Sequence, residues 1–266
     1  MSALDIRIEG IGFWAPGWAD WNAACAGLRG EAQTDAEVIK PSPALLVAAE
    51  RRRAPLAVLL ACEIAAQACA ASGHAVDTLP SVFASTHGDL VITDYMCSTL
   101  AQAPRELSPI KFHNSVHNAP AGYWTIAAHC HEGSTSISSW HSTFAVALFE
   151  AAIQAVAENV PVLLSAYDAL SPGPLAEVSP ASTIFGVAMV IAPADARGAT
   201  MRLGFNTATT DLPVSPQLPI AFEELRDTNP MASQSLPLLA AIAAGMPTTL
   251  ELSAGKHSTL TMELYA

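Results

Sequence analysis

Charge is scarce in this chain. Only 14% of its 266 residues are Asp, Glu, Lys or Arg, and the acids outnumber the bases 24 to 12, for a net charge of −12. Nucleic-acid binding needs clustered basic side chains against phosphates, so that function class is excluded. The one basic run, Arg51-Arg52-Arg53, reads as a solvated cluster at a helix start or in a loop rather than an anion site. Cysteine pairing is missing too. The five cysteines (Cys25, Cys62, Cys69, Cys97 and Cys130) are odd in number and form no C-x-x-C pair. That argues against a disulfide framework or a thiolate metal site. Cys62 and Cys69 lie on one face of an apolar helical run and read as buried small hydrophobes. Glu63 and Gln67 interrupt one long apolar run, and Glu150 and Gln154 another, so no membrane span is expected. With no signal-peptide pattern, the expectation is a reduced, cytoplasmic chain. Internal repeats, low-complexity segments and the G-x-S-x-G turn of α/β-hydrolases are all absent.

Apolar residues make up 51% of the chain, much of it alanine in helical runs, enough for a sizeable core. So little charge also suggests that a partner covers part of the surface. Residues 6–12 alternate and end in glycine, which reads as a first strand. Trp14, Trp18 and Trp21 follow closely, fitting either a packed aromatic cluster or an interface. Residues 31–54 are weakly patterned, a loop or short helix. Residues 56–72 form an alanine-rich helix ended by Gly73. Residues 80–85 read as a buried strand, 86–89 as a turn and 90–102 as a helix. Residues 108–115 read as a loop, and 116–130 as a helix. Buried strands are expected at 161–167 and 184–192, with a loop at 171–174. Further on come a strand at 201–209, a proline-rich stretch at 213–230 with one short helix, and a helix at 233–244. Two alternating segments around Ala254-Gly-Lys-His257 form a hairpin. Strands alternating with helices up to residue 192 predict an α/β layered fold with helices on both faces of a sheet.

Residues 134–157 concentrate the chemistry. A hydroxyl-rich, β-branched run turns sharply into a helix that is apolar on all sides and therefore expected to be buried. A strand feeding a helix this way presents one side chain over free backbone N–H groups, and the residue at the turn is His141. Ser139 and Ser142 flank it, which leaves open an acyltransferase or hydrolase using His141 with either serine. His113, His117, His129 and His131 stand nearby. His113 and His117 are four apart, as helix-borne zinc ligands would be, but a proline-bearing loop surrounds them and no carboxylate repeats at matching spacing. His129 and His131 would point in different directions on a helix. Neither a metal nor any other cofactor is expected.

Two runs together carry a family resemblance: Lys111-Phe-His-Asn-Ser-Val-His-Asn-Ala-Pro-Ala-Gly-Tyr-Trp124, and Gly133 through Leu148. They resemble the N-terminal half of β-ketoacyl synthases of the thiolase fold. The greatest likeness is to short synthase-like proteins of aryl-polyene and xanthomonadin-type pigment assembly. The resemblance implies a thiolase-like α/β/α fold in which residues 1–195 form a complete first half. Residues 196–266 would be an abbreviated second half, with a helix and a β-hairpin, packed on the same domain.

The departures from that pattern matter as much as the match. Active synthases carry a cysteine at the strand-to-helix turn, and His141 stands at that position. The two histidines of the family's second half have no counterpart, since His257 falls in the hairpin turn. The resemblance therefore implies a non-catalytic, chain-length-factor-like subunit that pairs with an active synthase as a heterodimer. Isolated, it could form a homodimer, and it would meet an acyl carrier protein only indirectly. The run Ser134, Thr135, Ser136, Ile137, Ser138 would lie at the subunit interface. Phe112, Asn114, His117, Asn118, Tyr123 and Trp124 would border the partner's acyl tunnel, with Phe112, Tyr123 and Trp124 as floor residues or plain core packing.

Overall fold

Two glycines on the first strand decide how closely the central helix approaches the sheet. A Cβ at Gly10 would run into the carbonyl oxygen of Ala68, and one at Gly12 into that of Ile64. Glycine is required where one backbone approaches another this closely. The computed structural model describes residues 4–35, 37, 40–194, 199–207 and 216–265. In chain order the elements are β1 (Leu4–Trp14), α1 (Trp21–Leu28), α2 (Ala48–Arg53), α3 (Leu56–Ser72), β2 (Ser81–Ala84), α4 (Leu90–Gln102), α5 (Pro109–His113) and α6 (Ala119–Ala128). They continue with β3 (Ser134–Ile137), α7 (Thr143–Glu158), β4 (Val162–Asp168), α8 (Leu175–Val178), β5 (Phe185–Pro193) and β6 (Ala199–Thr207). The last four are α9 (Ile220–Thr228), α10 (Pro230–Ala244), β7 (Thr248–Gly255) and β8 (Ser258–Leu264).

The strands form one eight-stranded sheet in the order β3-β2-β4-β5-β1-β6-β8-β7. The β2–β3 and β2–β4 pairs are parallel and the rest antiparallel. β4 shows how the layers are built. Val162, Leu164 and Ala166 point into the core under α7, while Leu163 and Tyr167 point into the core under α3. α3 and α6 cover one face; α7, α10, α9 and α1 cover the other. The result is the layered α/β/α arrangement expected. Cys62 and Cys69 are fully buried, and burial pushes both thiols up to about 12, so they are inert packing. Among the described residues no helix is long and apolar enough to cross a membrane.

Several boundaries differ from the sequence reading, each for a local reason. Residues 108–115 are not all loop. Ser108 caps the short helix α5 by accepting from the Lys111 N–H, with Pro109 at its first position. α10 begins at Pro230 rather than 233, because the Asn229 side chain accepts from the Met231 and Ala232 N–H groups. α6 is shorter than 116–130. His129 closes it at φ 53°, so His129 and His131 do not share a helix. The three arginines occupy the last turn of α2, where cations complement the helix dipole. α7 is buried only on its inner side, and Ile153 and Val156 are each 39% exposed. Trp14 and Trp18 are core residues, with Trp18 stacked on Phe222 at 4.9 Å. The strand expected at 201–209 is described to Thr207; residues 208 and 209, and the expected division between 195 and 196, lie outside the described residues.

The close α3–β1 approach yields a test. Gly12→Ala should lower stability by about 2 kcal/mol or more, because only backbone can give way. Urea denaturation checks it, with Gly204→Ala as a control where no atom lies within 4 Å of an added Cβ.

Candidate functional site

Among the described residues β3 lies at one end of the sheet and pairs on one side only, with β2. From Ile137 the chain runs through Ser138 and Ser139 into a single 3₁₀ turn, Trp140–Ser142, and then into α7. Trp140 has φ 52°. A left-handed conformation costs a bulky L-residue about 1–2 kcal/mol, so the surroundings must impose it. Thr143 does so. Its hydroxyl donates to the Trp140 carbonyl at 2.7 Å and accepts from the Ser139 N–H at 2.9 Å. The Ser138 hydroxyl ties the start of the turn to the Thr86 carbonyl at 2.6 Å.

The turn presents His141 outward, edge-on to Trp140 at 5.1 Å, while Trp140 itself stands edge-on to His87 at 4.8 Å. His141 lines an open cleft of about 210 Å³ together with Arg226, Asp227, Ser233 and Gln234 from α9 and α10. Burial lowers the His87 pKa, and the nearby imidazoles of His141 and His117 lower it further by opposing a second positive charge. Ser142 is buried, and its hydroxyl lies 3.3 Å from that of Ser253 on β7. Among the described residues no hydrogen bond joins His141 to Ser139 or Ser142, so the structure holds no assembled serine–histidine pair.

The remaining site residues fall into separate places. Ser134 is exposed and Thr135, Ser136 and Ile137 are half-buried along the β3 edge. Phe112 is 61% exposed on α5, and Asn118 is exposed just before α6. Tyr123 lines a groove of about 470 Å³ between α2, α5 and α6, with Arg53, Ile110, His113, Val116 and Ile126. Trp124 does not belong with them. It is fully buried against Phe83, ring centroids 6.5 Å apart, because its position on α6 points to the sheet. Of the two roles considered for Trp124, core packing is the one observed. Asn114 is buried as well. His117 turns inward to the Ser85 carbonyl at 3.1 Å, away from His113, so those two rings do not form a metal pair. Among the described residues no three His, Cys, Asp or Glu side chains converge as metal ligands would.

Sequence reasoning missed the buried node beneath the turn. Asp168, at the end of β4, accepts from the Ser85 hydroxyl (2.8 Å), the Thr86 N–H (2.8 Å) and the Thr86 hydroxyl (2.6 Å). Its own carbonyl accepts from the Asn229 side chain at 3.1 Å. The node thus ties the ends of β2 and β4 to the start of α10. The only local clue was an acid closing a largely apolar strand.

Burial raises the Asp168 carboxyl from 3.8 to about 6, outweighing the donors that lower it. The folded chain therefore holds a proton, between those two values, that the unfolded chain releases. This stabilising contribution is complete below 3.8 and is lost as pH rises through about 6. It amounts to about 3 kcal/mol. Asp168→Asn should remove that slope from urea stability measured between pH 4 and 7. Parallel profiles for the two proteins would mean that Asp168 does not titrate there.

The model of the β-ketoacyl synthase N-terminal domain matches residues 18–253. No curated protein matches the chain. Among solved structures, the fold is similar to that of a chain in the complex of the ketosynthase ApeO with its chain length factor ApeC from Xenorhabdus doucetiae. The TM-score is 0.72 at 24% identity, over 98% of this chain and 99% of that one. It is also similar to the ishigamide ketosynthase/chain length factor, with TM-score 0.69 at 15% identity, over 97% and 98% of the two chains. A third likeness is to a type II polyketide synthase acyl-carrier protein in complex with its hexaketide-bound ketosynthase. Its TM-score is 0.70 at 12% identity, over the full length of both chains. At these identities the structural likenesses establish a thiolase-like fold, and the match over residues 18–253 makes this chain a member of the β-ketoacyl synthase N-terminal domain family.

Proposed function

We propose that the chain is a non-catalytic, chain-length-factor-like subunit that pairs with an active, cysteine-bearing ketoacyl synthase in the cytoplasm and shapes its acyl tunnel. The setting is polyene-type polyketide or fatty-acid-like assembly, as for aryl-polyene pigments. In this reading residues 1–195 are the synthase-like half and residues 196–266 a shortened second half. The observation that carries the proposal is the edge strand β3 together with the exposed groove on α6, the helix that packs against it. Ser134, Thr135, Ser136, Ile137 and Ser138 offer the partner a strand edge. Phe112, Asn118 and Tyr123 stand on the surface that would border its tunnel, with Asn114 and His117 behind them. The names of similar structures, ketosynthases with their chain length factors, support the same pairing. A net charge of −12 fits a subunit that leaves the acidic acyl carrier protein to its partner.

The reading as a stand-alone acyltransferase or hydrolase lacks comparable support. It needs a hydroxyl bonded to His141, whereas the Ser142 hydroxyl faces Ser253.

Co-expression with a candidate synthase tests the proposal. A stable one-to-one complex should co-purify, and Tyr123→Ala should shift the length of the product. Ile126 is 70% exposed and Phe112 61%. Ile126→Asp and Phe112→Asp should each weaken the complex roughly tenfold, the usual cost of spoiling an apolar anchor. Only a homodimer of this chain, or product length indifferent to its presence, would overturn the reading.

A further inference from the structure

The turn that carries His141 also fixes the first N–H groups of α7. A helix N-terminus normally leaves its first N–H groups free to face an anion. Here the chain itself takes those of residues 142 to 144. The Ser142 N–H donates to the Ser139 carbonyl at 3.0 Å. The Thr143 N–H donates to the Trp140 carbonyl, closing the 3₁₀ turn. The Phe144 N–H donates to Oε1 of Gln234 at 2.8 Å. The first two bonds belong to the turn, but the third comes from ninety residues away in the sequence. Gln234 lies on α10 and is held in place, since its Nε2 donates to the Pro230 carbonyl at 3.3 Å. It lines the same cleft as His141. On the far side, Ser253 of β7 closes against Ser142.

We propose that Gln234 is a built-in plug, occupying with its side-chain carbonyl the donor position from which the N-terminus of α7 would otherwise stabilise a negative charge at residue 141. The loss of chemistry here is then double: the nucleophile is replaced, and the field that would activate one is blocked from the C-terminal segment. Restoring a cysteine alone does not restore a reactive thiolate. This holds whether or not the chain pairs with a synthase.

The experiment is alkylation by iodoacetamide across pH 6–10, with peptide mass mapping so that the native Cys25 and Cys97 do not interfere. His141→Cys alone should titrate as an ordinary thiol, near 8.5. Adding Gln234→Ala releases the Phe144 N–H and should speed alkylation at pH 7 about three- to tenfold by moving the profile to lower pH. Adding Gln234→Glu instead places a carboxylate on that N–H and should move the profile the other way. A plain gain in access would raise the rate at every pH without moving the midpoint, and would overturn the proposal. So would superimposable profiles for all three variants, or a low midpoint for His141→Cys alone. Circular dichroism of each variant shows that the comparison is among folded proteins.

Discussion

One hydroxyl holds the part of the structure on which everything near the site depends. Thr143 Oγ1 bonds both the Trp140 carbonyl and the Ser139 N–H, and so keeps a tryptophan in a backbone region that its side chain disfavours. Release that grip and the turn relaxes. His141 then loses its outward aim and α7 its fixed starting point, while β3 keeps its own ladder with β2. Thr143 itself is fully buried, while its partners Ser139 and Trp140 reach the surface, so both bonds are part-buried. Two bonds of about 1 kcal/mol each match the cost of the strained φ, and the rest of the turn needs only to avoid disturbing them.

The Asp168 node works on the same region from below. A buried carboxylate is tolerated only when donors satisfy it, and Ser85 and Thr86 supply three. Because Thr86 also receives the Ser138 hydroxyl, the node and the turn share a residue. Asn229 links the node to the first turn of α10, whose next turn carries Gln234. A chain of polar contacts therefore runs from the end of β4 to the N-terminus of α7 by way of the C-terminal segment. The C-terminal segment completes the sheet with β6, β8 and β7 and also lines the cleft.

Local features of the fold were legible in the sequence. α3 is bounded by Pro55 and Gly73 and filled with alanine, so its limits could be read directly. The β7–β8 hairpin showed in its alternation around residues 254–257. The start of α10 was obscured because Asn229-Pro230 looks like the end of a proline-rich stretch until the cap bonds are seen. The hydroxyl-rich run leading into an apolar helix put His141 on the turn, but nothing local distinguished Trp124, facing the core, from Tyr123 beside it. The Asp168 node was out of reach for a simpler reason. Its partners lie 82 and 83 residues away, and only the parallel pairing of β2 with β4 brings them together.

The two sheet edges differ in a way that bears on the pairing proposed. An open edge invites unwanted strands, and stable chains blunt it with charge, proline, a bulge or a cover. β7 has three of these. Glu251 lies in it, a bulge falls between Ser253 and Gly255, and α7, α10 and the Trp140–Ser142 turn pack against it. β3 has fewer: Ser134-Thr-Ser-Ile137 carries no charge and no proline, and its register with β2 is regular. Its shortness and light packing by α6 and α7 are its guards. α6 packs on it, and α5, α6 and the connection between them expose Ile110, Phe112, Val116 and Ile126. In a chain with so little charge, leaving one edge lightly guarded near an apolar groove while blunting the other is what a single, specific neighbour on the β3 side would require.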